Sequence, residues 1–549
     1  MICFIFYTYM VLKIGEKFLQ WSGGDEVYIQ TPTGSGKTTF ILEVLAKCAV
    51  EKSKEVLLLV NRRLLKAQIC QELVREHGVL SMSDEEVEKI HEFGGVTVYT
   101  YQEIQEELKR KPYPMGTLFA QRFRYVVFDE SHYFLEDSMF NRGIPYILEV
   151  LPKIKNATKI FLSATGEEVF PFLMRIMHTD MTLLRNLVSG NADEIIVEFH
   201  EGFFTGGRIF QYKQQPVFNV HDVRYFRNVD EIVEKINEDK SEEKWMVFVN
   251  NKIEAGKIKE NLRRNFLYVD ADEKENNSVK QQIVKNSRFE EKVLISTKVL
   301  DNGINLKDKN LKNIVLPVTE KTEFIQMLGR KRFEKGEGGV HLFLMARGTQ
   351  YFNFILTRKI RPMVNFIGEI QKDSRFRQER MDDADFYEFC QKMAIIKNGV
   401  ITVSKAAIEK IRLTQNFCEE MLEKLRENPH ALVLEQLSWI GKEKDFQEDF
   451  YLESYGRKKN WQKIFDFMDE TRGKKMDKSE QEAFRNKFAE LAREYGIKLT
   501  DRNSRLAGKA KINQFCEMEG IPFCIEAVNN SRFWLVKGVA GNETQNICD

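Results

Sequence analysis

Tyr28-Ile29-Gln30-Thr31-Pro32-Thr33-Gly34-Ser35-Gly36-Lys37-Thr38-Thr39 decides how the rest of this chain is read. A strand covers 26–30, and a helical pattern starts at Lys37 and runs through Phe40, Ile41, Val44 and Leu45. Gly34 and Gly36 let the backbone turn tightly and aim N–H groups at phosphate oxygens. The helix N-terminus adds its positive dipole end. Lys37 brings a point charge to the β- and γ-phosphates, and the Thr38 hydroxyl is placed to hold Mg²⁺. Thr33, Gly34, Ser35, Gly36, Lys37, Thr38 and Thr39 are therefore the expected nucleotide cradle. Thr31 stands where the usual pattern has its first glycine.

The apolar run Tyr125-Val126-Val127-Phe128 reads as a buried parallel strand, and it ends in Asp129-Glu130-Ser131-His132. Open α/β sheets place their ligand chemistry at the carboxyl ends of strands. Asp129 is expected to hold Mg²⁺, and Glu130 to orient and deprotonate a water.

Together these motifs resemble superfamily 2 helicases, with Asp-Glu-Ser-His as motif II in its DExH variant. Further segments follow in the family's order. The stretch from Leu57 to Gln68, with Asn61-Arg62-Arg63, resembles motif Ia. Val96-Thr97-Val98-Tyr99-Thr100-Tyr101-Gln102 resembles the next strand end that contacts nucleic acid. Phe161-Leu162-Ser163-Ala164-Thr165 resembles motif III, and Trp245-Met246-Val247-Phe248-Val249-Asn250-Asn251 motif IV. The stretch from Ile295 to Asn305 resembles motif V, and Gln326-Met327-Leu328-Gly329-Arg330-Lys331-Arg332 motif VI. The resemblance covers the first two-thirds of the chain and is nearest to the bacterial DEAD/DEAH-box and restriction-motor-like group.

The resemblance implies two tandem RecA-like parallel-sheet domains that bind ATP and Mg²⁺ in the cleft between them. Lys37, Thr38, Asp129 and Glu130 would come from the first domain, with Thr38 and Asp129 on the metal. Gln326, Arg330 and Arg332 would come from the second. The family's second arginine usually lies three residues after the first, where this chain has Phe333. Either Arg332 takes that role with a local shift, or the finger is single. His132, Ser163 and Thr165 would couple nucleotide state to closure. Asp301 and Gly303 would join the nucleotide cleft to a nucleic-acid rim formed by Arg62, Arg63, Thr100, Asn250 and Thr297. Phosphate contacts of this kind position a strand without reading its sequence. The expected activity is ATP-dependent helicase or translocase action, with DNA favoured over RNA. The alternatives are a nucleic-acid-stimulated ATPase switch and a motor subunit of a larger defence or mobile-element complex, without strand separation of its own, that docks a partner such as a nuclease through its C-terminal region.

The chain has 549 residues, enough for about three domains. Hydrophobic content of 43% and charged content of 30% are ordinary for a globular protein. A net charge of +1 gives no independent sign of nucleic-acid binding, so any footprint must be local. Eight scattered cysteines without a C-x-x-C pair argue against zinc, iron–sulfur or disulfide frameworks and fit a reducing cytoplasm. Residues 1–12 are apolar but too short to span a bilayer, and read as a buried element of the first domain.

Strands are expected at 27–30, 56–61, 96–100, 125–129 and 159–163, then at 245–250, 266–270, 293–297, 313–316 and 340–345. Alternation with helical patterns implies parallel sheets covered on both faces. The expected domains are 1–200, 201–350, a helical accessory domain at 351–503, and a small helix-plus-hairpin unit at 504–549 that is similar to a winged helix. A linker is expected at 198–220, with a short hairpin pairing 209–213 with 217–220. Residues 306–324 leave room for one strand but not for the strand-separating hairpin of several DExH relatives.

Overall fold

The computed structural model describes residues 14–32, 34–76, 91–110, 121–178, 194–201, 204–214, 217–270, 283, 286–297, 305–333, 336–452, 462–494, 507–518, 521, 523–528 and 532–538. It divides into two compact units, Met1–Leu452 and Glu453–Asp549.

The first unit holds two sheets. One contains β1 (Glu26–Gln30), β2 (Glu55–Val60), β3 (Glu92–Phe93), β4 (Val96–Thr100), β5 (Phe123–Phe128), β6 (Thr158–Ser163), β7 (Glu194–Glu201) and β8 (Phe204–Lys213). Their order is β3-β4-β2-β5-β6-β1-β8-β7, parallel except for the β3-β4 and β7-β8 pairs at its edges. The second contains β9 (Val220–Phe226), β10 (Lys244–Phe248), β11 (Phe266–Val269), β12 (Val293–Ser296), β13 (Leu311–Leu316) and β14 (Val340–Met345). Its order is β11-β12-β10-β13-β14-β9, parallel throughout.

The continuous apolar runs have a direct cause. Successive strand residues point to opposite faces, and both faces are covered. Tyr28, Leu57, Leu59, Val126, Phe128 and Phe161 pack on one side of the first sheet. Val27, Ile29, Val56, Leu58, Val127 and Ile160 pack on the other, with Trp21, Phe40 and Phe210. Two tandem RecA-like domains are thus present, as expected.

The linker differs from expectation. The predicted 209–213/217–220 hairpin does not form, and the expected boundary at residue 200 falls inside a longer one. β7 pairs antiparallel with β8, and β8 lies parallel to β1, with Glu26 opposite Ile209 and Gln30 opposite Lys213. The first sheet therefore reaches Lys213, while Val220 already belongs to the second. Burial of Ile209, Phe210 and Tyr212 against β1 and Trp21 drives this choice.

The helical region is also divided differently. Residues 351–452 belong to the same unit as the two sheets, with a hairpin of β15 (Ala394–Lys397) and β16 (Val400–Val403) and helices that include Lys405–Glu427 and Ala431–Ser438. The helices Gln462–Glu470 and Lys478–Glu494 instead share the second unit's core. That unit adds helix Lys509–Met518 and the strands β17 (Lys475–Met476), β18 (Phe523–Val528) and β19 (Phe533–Gly538), in the antiparallel order β17-β19-β18. Met468, Phe484, Phe488, Ile512, Phe515 and Val536 form its core. The expected terminal helix and hairpin are there, but the unit begins well before residue 504. Residues 1–12 lie outside the described residues.

Candidate active site

The phosphate loop is anchored at both ends. Thr31 N donates to Ser163 O at 3.0 Å, and its hydroxyl donates to Gln214 Oε1 at 3.0 Å. The hydroxyl tethers the loop to the residue after β8, which gives threonine a use at the usual glycine position. Gly34 and Gly36 have φ of +81° and +88°, a region that side-chain-bearing residues avoid. Gly36 caps the helix that starts at Lys37 and runs through a π-helical turn at Phe40–Leu45. Thr38 and Thr39 lie half-buried in its first turn, and Thr33 lies outside the described residues.

Asp129 and Glu130 follow the end of β5. Asp129 N donates to Leu59 O at 2.9 Å, and Tyr101 Oη donates to Asp129 O at 2.8 Å. Glu130 adopts φ of +48°, a left-handed conformation that costs a side-chain-bearing residue about 1 kcal/mol. The bond from Glu130 N to Asp129 Oδ1, at 3.0 Å, helps to hold it. Glu130 Oε1 then lies 3.5 Å from Lys37 Nζ. Lys37 Nζ and Ser35 Oγ are buried, and neither has a hydrogen-bond partner among the described residues. Burial would raise the Glu130 carboxyl, but Lys37, His132 and Arg330 outweigh it and bring it down to about 2. Burial pushes Asp129 up to about 6; Lys37 opposes this, while neighbouring Glu130 adds to it. This donor set fits a polyphosphate with a divalent cation: a buried ammonium and a buried hydroxyl on one side, and on the other a carboxylate that gains from added positive charge.

His132 links motif II to motif III and to the second domain. Burial lowers it to about 4 despite Glu130, so it is neutral near pH 7. Ser163 Oγ donates to Thr165 O at 3.0 Å and accepts from Thr165 N at 3.0 Å. With its proton so used, Ser163 Oγ accepts from His132 Nδ1–H at 3.3 Å. His132 Nε2 is left as acceptor for the Gln326 amide, from helix Lys321–Leu328 of the second domain. Ala164 packs in the second domain's core, so motif III bridges the cleft by packing as well.

Motif VI brings both arginines to the cleft. Arg332 N donates to Leu306 O at 2.8 Å, Leu306 N donates to Arg330 O at 2.9 Å, and Leu306 and Lys331 form an isolated parallel bridge. This pairing sets the register of the turn. Lys331 faces inward and donates to Asp308 O at 2.8 Å, while Arg332 faces the phosphate loop. Arg332 Nε donates to Asn305 Oδ1 at 2.8 Å. Burial and Arg330 lower Arg332 to about 10, with Glu130 opposing. Phe333 packs against the second domain's core, with Lys331 Nζ 5.2 Å from its ring centre.

The rim residues lie at carboxyl ends of adjacent strands. Arg62 and Arg63 follow β2, and Thr100 ends neighbouring β4; all three line a cavity of about 590 Å³ with His91, Tyr99 and Gln102. Arg62 is half-exposed and lies 3.9 Å from buried Asp137. Thr100 is buried; its Oγ1 accepts from Glu103 N at 3.2 Å and caps helix Tyr101–Arg110, so its side chain faces the protein. Asn250 and Thr297 follow β10 and β12, which are also adjacent. Asn250 is exposed, and Thr297 N donates to Val269 O at 3.3 Å. Asp301 and Gly303 lie outside the described residues. Sequence reading missed Tyr101, Asn305 and Asp137, because the signal of each is a partner distant in sequence.

A phosphate loop at the strand ends of one largely parallel sheet, with Arg332 of a second, parallel-sheet domain brought against it, defines a tandem RecA-like nucleotide-binding protein. Residues 15–170 match the DEAD/DEAH box helicase domain, and residues 226–332 match the helicase conserved C-terminal domain. The chain thus carries, in tandem, a DEAD/DEAH box helicase domain and a helicase conserved C-terminal domain. No curated protein matches it. Among solved structures it is similar to S. cerevisiae Dbp5 bound to RNA and ADP BeF3, with 17% identity and a TM-score of 0.38 over 60% of this chain and 81% of that one. It is also similar to the E. coli DExH-box NTPase HrpB, with 14% identity and a TM-score of 0.39 over 63% of this chain and 42% of that one. Among the described residues no helix is long and apolar enough to cross a membrane.

Proposed function

We propose that this protein is an ATP-dependent helicase or translocase that hydrolyses ATP to move along or remodel a nucleic-acid strand. The observation that carries the reading is that Arg332, from the second sheet's side, lies against Gly34 of the first sheet's phosphate loop. Arginines in that position neutralise charge that develops on the transferred phosphoryl group. In this reading the loop N–H groups and Lys37 bind the β- and γ-phosphates. Glu130, kept ionised by Lys37 and Arg330, orients the attacking water and takes its proton. Thr38 and Asp129 would hold Mg²⁺, which supplies charge neutralisation between the phosphates. Gln326 and His132 report closure, and Ser163 and Thr165 relay it. Arg62, Arg63, Asn250 and Thr297 track backbone phosphates, which suits sequence-blind movement.

One observation favours a second reading, a nucleic-acid-stimulated switch that clamps a strand without separating it. Residues 305–333 are all described, and they hold β13, a loop and helix Lys321–Leu328, with no strand-separating hairpin.

The test is ATP hydrolysis measured in parallel with single-stranded DNA, duplex DNA and RNA, followed by a directional unwinding assay. We expect turnover stimulated by single strands, more by DNA than by RNA, and lost in Lys37→Ala. No hydrolysis under any condition overturns the proposal. Stimulated hydrolysis without unwinding or translocation selects the switch.

A further inference from the structure

Three carboxylates from the two motor halves crowd together beside the cleft. Glu136 ends helix Tyr133–Glu136, which follows directly on Asp129-Glu130-Ser131-His132. Glu320 precedes helix Lys321–Leu328, and Glu323 lies in its first turn; this is the helix that carries Gln326. Oxygen atoms of the three lie within 4.8 Å of one another. Like charges this close, partly shielded from water, repel and would push the two helices apart.

A cation from a third place sits among them. Lys410, in helix Lys405–Glu427, donates from Nζ to Glu136 Oε1 at 2.9 Å and to Glu320 Oε2 at 2.7 Å. Lys410 is only 8% exposed. Burial works against its charge, but Glu136, Glu320 and Glu168 hold its pKa well above the usual lysine range.

Its helix is fastened to both halves. Ala406 lies in the first domain's core with Leu413 packed beside it, and Arg175 Nη2 donates to Glu409 Oε1 at 2.6 Å. The following helix, Ala431–Ser438, sends Val433 and Leu437 into the second domain's core, and Gln436 Nε2 donates to Val318 O at 2.8 Å. Lys410 stands at the seam between these attachments.

We propose that Lys410 is a positioning residue for the nucleotide cleft. It fixes the spacing between the helix that follows the acidic motif and the helix that delivers Gln326 and Arg330. The helical segment that carries it thereby becomes a strap over the motor, and any load on that segment is felt at the cleft. The inference rests on the ATPase reading above. Without the ammonium the bridge between Glu136 and Glu320 is lost, the cross-cleft contact of Gln326 with His132 loosens, and the arginines move off the phosphates.

The test compares Lys410→Met, Lys410→Arg, Glu320→Gln and the Lys410→Met/Glu320→Gln pair in the full chain. Hydrolysis is measured with single-stranded DNA, and amide hydrogen exchange is followed in Tyr133–Glu136 and Lys321–Leu328. Lys410→Met should lower kcat about ten-fold, with KM for ATP changed by less than about two-fold, and should speed exchange in both helices. Lys410→Arg should retain most activity. The sign for Glu320→Gln is diagnostic: loosening in the wild-type background, where it removes a bridge, and tightening in Lys410→Met, where it removes a repulsion. Simple loss of packing would not reverse sign. Wild-type kcat and exchange in Lys410→Met, or no recovery in the pair, overturns the inference. If Lys410→Met does not fold, unchanged exchange in Glu320→Gln alone overturns it. If the wild-type chain hydrolyses no ATP, the ATPase reading fails, and exchange alone decides the latch by the same criteria.

Discussion

Arg332 and Gly34 are neighbours across the cleft: a β-carbon on Gly34 would lie 2.9 Å from Arg332 Nη1. The glycine is needed twice, for its φ of +81° and for the room it leaves the guanidinium. The motif VI arginine adjacent to Phe333 thus reaches the phosphate loop although its spacing from Arg330 is one residue short of the family's.

Arg332→Ala and Arg330→Ala should each lower kcat by about 10³-fold, while ATP affinity changes little, because a finger acts on transition-state charge. Lysine at 332 should restore little, since it lacks the planar fork that also bonds Asn305. Turnover near wild type in Arg332→Ala would leave Arg330 as a single finger.

Glu130→Gln should retain ATP and nucleic-acid binding, with turnover down by about 10²-fold or more. Asp129 keeps its contacts to Leu59 and Tyr101, so the loop should hold its shape. Equilibrium binding of a labelled nucleotide separates the outcomes. A parallel fall in affinity and turnover would assign Glu130 to binding rather than to the water.

Gln326→Ala removes the amide that meets His132 across the cleft. Basal hydrolysis should fall modestly, and stimulation by nucleic acid by about ten-fold, because the cleft no longer closes in register. The ratio of stimulated to basal kcat is the readout. An unchanged ratio would place coupling elsewhere.

Removal of residues 453–549 should preserve basal ATPase, because both sheets and residues 351–452 form a unit of their own. A cut at residue 505 should do worse. It leaves Phe484, Phe488 and Leu491 without Ile512, Phe515 and Val536, and such exposed apolar surface aggregates. If the terminal unit is a nucleic-acid-binding winged helix, its removal, or Lys509→Ala with Lys511→Ala, should weaken strand binding and flatten its salt dependence. Equal affinity at every salt concentration would make it a cap or a protein-docking unit. Phe488→Ala should cost that unit about 3–5 kcal/mol, visible as a lower melting transition.

Much of the fold was legible in the sequence because the information is local. Strands buried on both faces must be apolar throughout, so β4 and β14 appear at their expected limits and the other expected strands within two residues of theirs. The phosphate loop reads the same way, because positive φ at two glycines and a lysine opening a helix need no distant partner. The glutamate after β5 is likewise placed by its strand end. Tertiary structure alone decided features in which distant segments choose each other. The register that turns Arg332 to the cleft and buries Lys331 is set by pairing with Leu306, about 25 residues away in sequence. The β7-β8 hairpin belongs to the first sheet because β8 found β1, a choice invisible in either segment. Phe484, Phe488 and Leu491 recur at helical spacing in Lys478–Glu494, but periodicity names a buried face and not the surface that buries it. Nothing in the sequence singles out Lys410 among the charges of helix Lys405–Glu427. Only the fold shows that it lies between carboxylates from both RecA-like domains, because charge pairing depends on separation in space and not on position in the chain.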